Sequence, residues 1–291
     1  MVEIAEQFPL ARLTTVRTGG PAELFARAGT QTELTELLQY AAERGIAVAV
    51  VGSGSNLLVA DEGVSGLVLK LERELARIER REERLLCGGG ARLPAVAARA
   101  AALGLSGIEF GVNIPGTVGG AVRMNANAYG GALAAVLEWV EVASAEGIAR
   151  RRPQELGFEY RSSNLAAAEV VARVEFDLSP APSEQVKATL AEMRERRHEA
   201  QPKGIKTFGS TFKNPPGETA GLLLAEAGCG GLAIGGARFS PKHANFVENC
   251  GEATTSDVVA VMAEGRRRVQ EQFGIELEPE VQTLGPVAFP W

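Results

Sequence analysis

Hydrophobic residues along the first third of the chain follow helix-like and strand-like intervals in turn. Thr30 has the position of a helix cap, and four apolar residues then recur at helical spacing: Leu34, Leu37, Leu38 and Ala41. Apolar runs of β-forming residues over 46–51 and 66–71 predict two buried strands. This order predicts a small α/β unit that ends near residue 65 to 70.

The remaining two thirds contain longer predicted elements. An Ala-rich segment over residues 92–103 predicts a helix, and residues 170–178 alternate as a strand does. Residues 180–183 then break the pattern and form the strongest candidate domain boundary. The pattern also predicts strands over 136–142 and 245–248, helices over 184–200 and 222–227, and a final helix after Ser256 and Asp257.

A glycine-rich stretch over residues 107–130 lies between these segments. It is nearly uncharged and contains Pro115, so a regular helix is not expected there. It is also too apolar for a flexible linker. We expect a folded loop whose backbone approaches a neighbour closely and whose unpaired N–H groups can hold phosphate oxygens.

Composition and charge act mainly by exclusion. The chain has 291 residues, is 45% hydrophobic, and carries a formal net charge of −6, so general nucleic-acid binding is not expected. No apolar run is long enough to span a bilayer, and the N-terminus lacks a signal-peptide core. Two histidines and three isolated cysteines give no metal-ligand spacing. We therefore expect a cytoplasmic protein with no metal site and no membrane insertion.

Two loops are candidates for phosphate binding. The first is Gly52-Ser53-Gly54-Ser55-Asn56, directly after a predicted strand, and the second spans residues 114–121. Neither matches the GxGxxG pattern or a Walker A loop. The residues are compatible with a cofactor pyrophosphate shared by both loops and also with two tight turns. The length of the second loop favours a ligand.

Three further blocks carry polar side chains suited to catalysis. Ser210 follows a glycine, and Lys213 and Asn214 come shortly after it, but no GxSxG elbow supports a serine hydrolase. Arg161 lies in a polar turn before a predicted strand, and Glu280 follows a proline near the C-terminus. Taken singly, Arg161 is typical of a surface cation and Glu280 of a solvated acidic tail.

In their order along the chain and in their residues, these blocks resemble one family, the UDP-N-acetylenolpyruvoylglucosamine reductases. The matching blocks span nearly the whole chain, at residues 14–20, 52–58, 114–130, 160–163, 209–215, 242–246 and 277–281. The blocks at 114–130 and 209–215 are the specific ones. The short distance from Arg161 to the strand at residue 170 is similar to the family's compact form (type II).

The resemblance implies an α+β fold and a division into domains. Residues 1–68 and 69–182 would be two α/β subdomains of an FAD-binding module of the vanillyl-alcohol-oxidase (PCMH) type. Residues 183–279 would form a smaller α+β substrate-binding domain. The C-terminal tail, about 280–291, is expected to pack back on the first subdomain.

The resemblance also implies roles for single residues. Arg161, Ser210 and Glu280 take the catalytic positions, and substrate contacts are expected at Tyr129, Lys213 and Asn214. The residues expected to hold non-covalent FAD are Gly52, Ser53, Gly54, Ser55, Asn56, Leu57, Ile114, Pro115, Gly116, Thr117, Gly119, Gly120 and Ala121. Asn127 replaces the family's usual glycine, a change that we expect the loop to accept because asparagine tolerates positive φ.

The implied activity is reduction of UDP-N-acetylglucosamine-enolpyruvate to UDP-N-acetylmuramate for peptidoglycan synthesis, with NADPH as the reductant. The residue types agree with it, since a guanidinium suits the substrate carboxylate and a hydroxyl or carboxyl group can protonate an enolate. The choice between Ser210 and Glu280 as proton donor stays open. Two alternatives also stay open, a flavin-dependent oxidase of the same cofactor fold and a non-catalytic nucleotide-sugar binding protein.

Overall fold

The computed structural model of the chain describes residues 2–202 and 204–291. The chain forms two compact units, which we call unit 1 and unit 2. Unit 1 comprises residues 2–6, Leu24–Ser53 and Gly66–Arg197, and unit 2 comprises Gln7–Glu23, Gly54–Ser65 and His198–Trp291. The division into three domains expected from the sequence stays a prediction.

The secondary structure is mixed. In chain order, the helices are α1 (Gln31–Glu43), α2 (Leu93–Ala102), α3 (Val118–Arg123), α4 (Ser183–Ala200), α5 (Ala220–Glu226) and α6 (Thr255–Phe273). The strands are β1 (Ile4–Pro9), β2 (Pro21–Ala28), β3 (Val48–Val50), β4 (Leu57–Val59), β5 (Val64–Leu71), β6 (Ile78–Arg81), β7 (Arg84–Gly88), β8 (Leu105–Ser106), β9 (Asn127–Ala128), β10 (Gly131–Ala132), β11 (Leu137–Ser144), β12 (Gly147–Arg151), β13 (Val170–Asp177), β14 (Ser179–Pro180), β15 (Ala233–Ile234), β16 (Ala237–Phe239), β17 (Val247–Asn249) and β18 (Gln282–Leu284). Short 3-10 helices occupy Leu10–Arg12, Arg73–Ala76, Glu109–Asn113, Leu133–Ala135 and Pro153–Leu156.

Unit 1 is organised around a five-stranded antiparallel sheet with the strand order β12-β11-β13-β7-β6. A second, four-stranded sheet has the order β1-β2-β5-β3, and its strands β3 and β5 run parallel. The larger core contains Leu93 of α2, Val118 of α3 and Phe176 of β13. A smaller core packs Leu34 and Leu38 of α1 near strand β5. The sheets thus form a platform on which the loop after β3 and helix α3 are fixed.

Unit 2 contains the antiparallel sheet β15-β16-β17, the parallel pair β4–β18, and helices α5 and α6. Its core combines Phe208 and Phe212 with Phe239 of β16 and Met262 of α6. Helix α6 begins with a capping box, in which the Thr254 hydroxyl accepts the Asp257 N–H at 3.0 Å. This core supports the loops that precede α5 and β18.

Several predicted elements lie where the sequence placed them. The Thr30 hydroxyl accepts the Glu33 N–H at 3.1 Å, and α1 follows as predicted. The final helix begins at Thr255 rather than after Asp257, because Thr254 provides its cap. The strand predicted at 245–248 is observed as β17 (Val247–Asn249). It begins after Asn245 because this residue makes the contacts described below.

The expectation that no regular helix forms within residues 107–130 is wrong for α3. Three of its six residues are buried in the core, and the Thr117 hydroxyl accepts the Gly120 N–H at 3.4 Å as an N-cap. Burial of this face outweighs the low helix propensity of glycine. Gly119 is also favoured by close packing, since an added Cβ atom would lie 3.1 Å from the Gly89 carbonyl oxygen.

Candidate functional site

The first loop and the second loop meet within unit 1. The Ser53 hydroxyl donates a hydrogen bond to the Pro115 carbonyl oxygen at 2.6 Å. Gly52 lies so close to Thr117 that an added Cβ atom would be 2.5 Å from the Thr117 hydroxyl oxygen. Any larger residue at position 52 would therefore force the two loops apart.

An open cleft lies beside this contact, and it is lined by glycines, apolar side chains, two cations and the Glu169 carboxylate. Its lining includes Gly52, Gly90, Gly119, Gly120, Lys70 and Arg123. The Lys70 ammonium donates to the Gly52 carbonyl oxygen at 2.9 Å, and burial lowers the pKa of Lys70. An ammonium group has three N–H donors, so this bond uses one of them. Sequence analysis missed Lys70, although a single charge within the apolar strand β5 is a signal for such a residue.

The N–H groups of the second loop are only partly available to a ligand. The Val118 N–H donates to the Ala91 carbonyl oxygen at 2.8 Å, and the Gly119 N–H donates to the Gly89 carbonyl oxygen at 2.7 Å. The expectation of unpaired N–H groups is therefore wrong at these two residues, because the start of α3 packs on the segment 89–91. Gly116 has more open surroundings, since the nearest neighbour of an added Cβ atom there would be 3.9 Å away.

Three predicted cofactor residues of the second loop take part in packing. Thr117 is buried and caps α3, and Ala121 is buried within the same helix. Ile114 is partly buried and packs against the larger core of unit 1. These residues therefore contribute to the packing that fixes the second loop.

The second half of the first loop belongs to unit 2. Gly54 has a φ of +64°, and an added Cβ atom would lie 2.0 Å from the Leu13 carbonyl oxygen, so glycine is required. Its carbonyl oxygen accepts the Thr15 N–H at 3.0 Å and the Thr15 hydroxyl at 3.1 Å. Ser55 and Asn56 follow, and Leu57 begins β4.

Tyr129 lies at the tip of a hairpin formed by β9 and β10. Tyr129 and Gly130 have φ values of +51° and +80°, and Ala128 pairs with Gly131 across the turn. Two consecutive positive φ values are typical of a type I′ turn, which rarely has tyrosine at its first central position. The Tyr129 hydroxyl accepts a hydrogen bond from the Asn113 side-chain amide at 3.1 Å. An exposed aromatic side chain is thus fixed at both ends.

The reason given for tolerance of Asn127 is wrong. Asn127 lies in β9, where it pairs with Ala132, and it is not among the residues with positive φ. Asn125 has a φ of +40° instead. The regular strand geometry of Asn127 places no special demand on its backbone, so any value of asparagine there comes from its side chain.

Arg161 occupies a tight turn in unit 1. Glu159 and Ser162 exchange backbone hydrogen bonds of 3.3 Å across it, and Arg161 has a φ of +58°. Its guanidinium lies 5.0 Å from the centre of the Tyr160 ring and donates through Nη1 to Asn127 Oδ1 at 3.0 Å. A non-glycine residue in the left-handed region is uncommon and costs backbone energy, so the surrounding contacts must hold it there. The Arg161 side chain is therefore fixed by contacts with Tyr160 and Asn127, unlike an ordinary surface cation.

The segments that carry Ser210 and Glu280 lie side by side in unit 2. The Glu280 N–H donates to the Thr211 carbonyl oxygen at 2.9 Å, and the Glu280 carbonyl oxygen accepts the Asn56 side-chain amide at 3.2 Å. Gly209 lies against the same loop, since an added Cβ atom would be 3.7 Å from the Ser55 carbonyl oxygen. Three blocks that are far apart in the sequence are thus held side by side.

Asn245 fixes the segment that carries Ser210. Its side-chain oxygen accepts the Phe212 N–H at 2.9 Å, and its amide nitrogen donates to the Phe212 carbonyl oxygen at 2.8 Å. Its own carbonyl oxygen accepts the Thr211 N–H at 2.8 Å. The amide is buried, so these bonds replace water in a dry environment. The sequence block contained Asn245, but the pairing with a residue 33 positions earlier left no local signal.

Replacement of Asn245 by alanine is expected to lower the free energy of unfolding by about 3 kcal/mol, because two buried backbone groups of Phe212 lose their partners. Urea unfolding followed by circular dichroism measures the change. The matched control is Asn164→Ala, which removes an exposed bond to the Glu155 carbonyl oxygen and should cost well under about 1 kcal/mol. Equal losses in the two variants would contradict the assignment.

Lys213 and Asn214 have different surroundings. The Lys213 ammonium is 3.2 Å from the Glu278 carboxylate, and this pair is partly exposed. The Asn214 side-chain oxygen accepts the Ala220 N–H at 3.1 Å and so caps the start of α5. Its amide nitrogen is the atom suited to a substrate. Both substrate roles stay predictions.

The residues predicted to be catalytic are divided between the units. Ser210 and Glu280 belong to unit 2, whereas Arg161 belongs to unit 1, as does the predicted substrate contact Tyr129. The gathering of all of them around one ligand stays a prediction. Among residues 2–202 and 204–291, no group of three or more His, Cys, Asp or Glu side chains is arranged to bind a metal. Within the same residues, every helix is too short or too polar to cross a bilayer.

Comparison with known proteins agrees with this architecture. A family model for the C-terminal domain of UDP-N-acetylenolpyruvoylglucosamine reductase matches residues 201–284, and a model for an FAD binding domain matches residues 22–151. The crystal structure of the UDP-N-acetylenolpyruvylglucosamine reductase from Thermus caldophilus is 39% identical, with a TM-score of 0.85, and the match covers 98% of this chain and 99% of that one. The expected FAD-binding fold is thereby confirmed.

Two curated sequences match at similar length. The UDP-N-acetylenolpyruvoylglucosamine reductase 2 of Symbiobacterium thermophilum is 44% identical over 279 residues, which are 95% of this chain and 91% of that protein. The UDP-N-acetylenolpyruvoylglucosamine reductase of an Anaeromyxobacter species is 44% identical over 283 residues, or 97% and 89% of the two chains. The chain therefore belongs to the family of UDP-N-acetylenolpyruvoylglucosamine reductases and is an oxidoreductase built on an FAD-binding fold.

Proposed function

We propose that this chain reduces the enolpyruvyl ether of UDP-N-acetylglucosamine-enolpyruvate to UDP-N-acetylmuramate, with NADPH as the reductant. The reaction would be a cytoplasmic step of peptidoglycan precursor synthesis. The observation that carries the proposal is that the segments of Ser210 and Glu280 lie side by side in unit 2. The Glu280 N–H donates to the Thr211 carbonyl oxygen, and the Asn56 side-chain amide donates to the Glu280 carbonyl oxygen. A hydroxyl and a carboxyl group beside a cofactor-type loop suit proton delivery.

The cleft of unit 1 fits the pyrophosphate of FAD. Glycines in its lining allow close approach, and Lys70 supplies a cation whose burial strengthens its attraction for an anion. Gly52, Gly116 and Gly120 would hold the cofactor through their backbones. FAD bound there supplies a ring that accepts a hydride from NADPH and makes it available to the substrate.

Arg161 would bind the carboxylate of the enolpyruvyl group. A guanidinium stays ionised and matches the two carboxylate oxygens with paired N–H donors. As the double bond is reduced, negative charge spreads from carbon into that carboxylate, so a fixed cation stabilises the transition state more than the ground state. The tight turn and the bond to Asn127 provide the fixed position that this role requires.

Ser210 would protonate the carbon that becomes the centre of negative charge. A hydroxyl is a weak acid, but an enolate is a strong enough base to take its proton. Glu280 would orient Ser210 or a water molecule, or supply the proton itself. The backbone bond from Glu280 to Thr211 supports both choices, because it keeps the two residues in adjacent segments.

The remaining candidates would bind the sugar nucleotide. Lys213 offers a cation for a phosphate, and Asn214 offers its amide nitrogen. Tyr129 presents an exposed ring at a rigid turn, suited to packing on a sugar or a base. These contacts would orient the sugar nucleotide for reaction at its enolpyruvyl group.

The expected result for the purified protein is a yellow colour from FAD and NADPH consumption that depends on the enolpyruvyl UDP-sugar. Absorbance at the NADPH band, with and without the sugar nucleotide, measures this dependence. Oxygen consumption without NADPH would favour a flavin oxidase. Sugar-nucleotide binding without turnover would favour a non-catalytic binding protein, and either result would contradict the proposal.

A further inference from the structure

Asn127 is joined to the proposed catalytic arginine by its side chain. The Arg161 Nη1 donates to Asn127 Oδ1 at 3.0 Å, although the two residues are 34 positions apart. Asn127 lies in strand β9, where its backbone pairs with Ala132 in ordinary strand geometry. Its side chain is half-buried. The strand therefore presents the amide oxygen to the guanidinium from a fixed backbone.

Other contacts already hold the backbone of the Arg161 turn. Asn125 donates through its side-chain amide to the Glu159 carbonyl oxygen at 3.0 Å, on one side of the turn. The Ser163 hydroxyl donates to the Arg123 carbonyl oxygen at 3.0 Å on the other side. Asn127 instead contacts the guanidinium itself. Support of the turn backbone and support of the guanidinium can therefore be separated by experiment.

The chemistry of the contact also matters. A guanidinium has five N–H donors, and the bond to Asn127 engages one terminal nitrogen. The amide oxygen is neutral, so it orients the group without cancelling its charge. A carboxylate in the same place would orient Arg161 equally well and would neutralise it. Asparagine thus suits a cation that must attract another anion.

We propose that Asn127 is a positioning residue that aims the Arg161 guanidinium at the substrate carboxylate without adding a negative charge beside it. This inference rests on the proposed function. It assigns no contact between Asn127 and the substrate. Its effect on turnover passes entirely through Arg161.

The test compares Asn127→Ala and Asn127→Asp with Asn164→Ala, whose amide bonds to the Glu155 carbonyl oxygen and does not touch Arg161. We expect kcat to fall about 10-fold or more in Asn127→Ala, with FAD content and the rate of flavin reduction by NADPH unchanged. Asn127→Asp should lose at least as much, because it cancels the charge. The control should keep wild-type kcat.

A binding measurement supplies an independent readout. Isothermal titration compares UDP-N-acetylmuramate, which has the carboxylate, with UDP-N-acetylglucosamine, which lacks it. Asn127→Ala should weaken the first ligand about 10-fold and leave the second unchanged. In an Arg161→Lys background, Asn127→Ala should have little further effect on kcat.

The outcomes separate the two proposals. A wild-type protein without turnover and without binding of either nucleotide would refute the proposed function. With an active wild type, wild-type kcat in Asn127→Ala overturns the positioning role. Equal weakening of both ligands, or a full effect in the Arg161→Lys background, also overturns it. Wild-type kcat in Asn127→Asp overturns the requirement for a neutral partner, and this nearly isosteric variant tests that part of the proposal even where the alanine variant fails to fold.

Discussion

Ser210→Ala is expected to lower turnover by about 10²- to 10⁴-fold, the range of a lost general acid. NADPH should still bleach the flavin at the wild-type rate, because the hydroxyl acts only after hydride has reached the substrate. Stopped-flow absorbance of the flavin, followed by product analysis, separates the two stages. The variant should therefore take up reducing equivalents and deliver almost no UDP-N-acetylmuramate.

Ser256→Ala is the matched control for this experiment. Ser256 is an exposed serine of unit 2 that bonds to Asp61 at the start of α6, and its loss should not change turnover. A folded Ser210→Ala protein whose flavin cannot be reduced would contradict the late role of Ser210. Full turnover in Ser210→Ala would assign the role of proton donor to Glu280. In that case Glu280→Gln should show the loss of turnover instead.

Arg161→Lys is expected to lower kcat about 10²- to 10³-fold, comparable with loss of one preorganised donor of about 3 kcal/mol. Lysine keeps the charge, but a single ammonium cannot match both carboxylate oxygens. It also lacks the second terminal nitrogen that lets one guanidinium contact Asn127 and the substrate together. FAD affinity should be unchanged. Steady-state kinetics and a fluorescence titration with FAD measure the two quantities.

Arg152→Lys controls for the general effect of this exchange. Arg152 is an exposed arginine of unit 1 near Glu138, and its pair is of the surface type that contributes little. We expect wild-type kinetics from it. Unchanged kcat in Arg161→Lys would remove Arg161 from the mechanism, and a loss of FAD affinity alone would assign it to the cofactor.

Local patterns predicted the elements that depend on local chemistry. The Thr30 cap and the spacing after it were sufficient for α1, and the alternation of residues 170–178 was sufficient for β13. Helix α3 was missed because its stability comes from burial against the core rather than from its glycine-containing sequence. Helix propensity is a weak guide where tertiary packing decides.

The candidate site residues could be predicted from the sequence, but the contacts that hold them in place could not. Ser210 and Glu280 were identified by resemblance, and the bond that joins their segments crosses about seventy positions of sequence. The roles of Asn245, Lys70 and Asn127 depend on contacts between distant segments, so no spacing rule reveals them. Side-chain partners of this kind require the folded chain.

The most direct test of the account is a crystal structure of the protein with FAD and the enolpyruvyl UDP-sugar bound. We expect the Arg161 guanidinium to lie within hydrogen-bond distance of the substrate carboxylate, about 3 Å. The Ser210 hydroxyl and the Glu280 carboxyl group should lie beside the carbon that is protonated, next to the flavin ring. A complex in which these three groups lie far from the enolpyruvyl group would contradict the proposed chemistry.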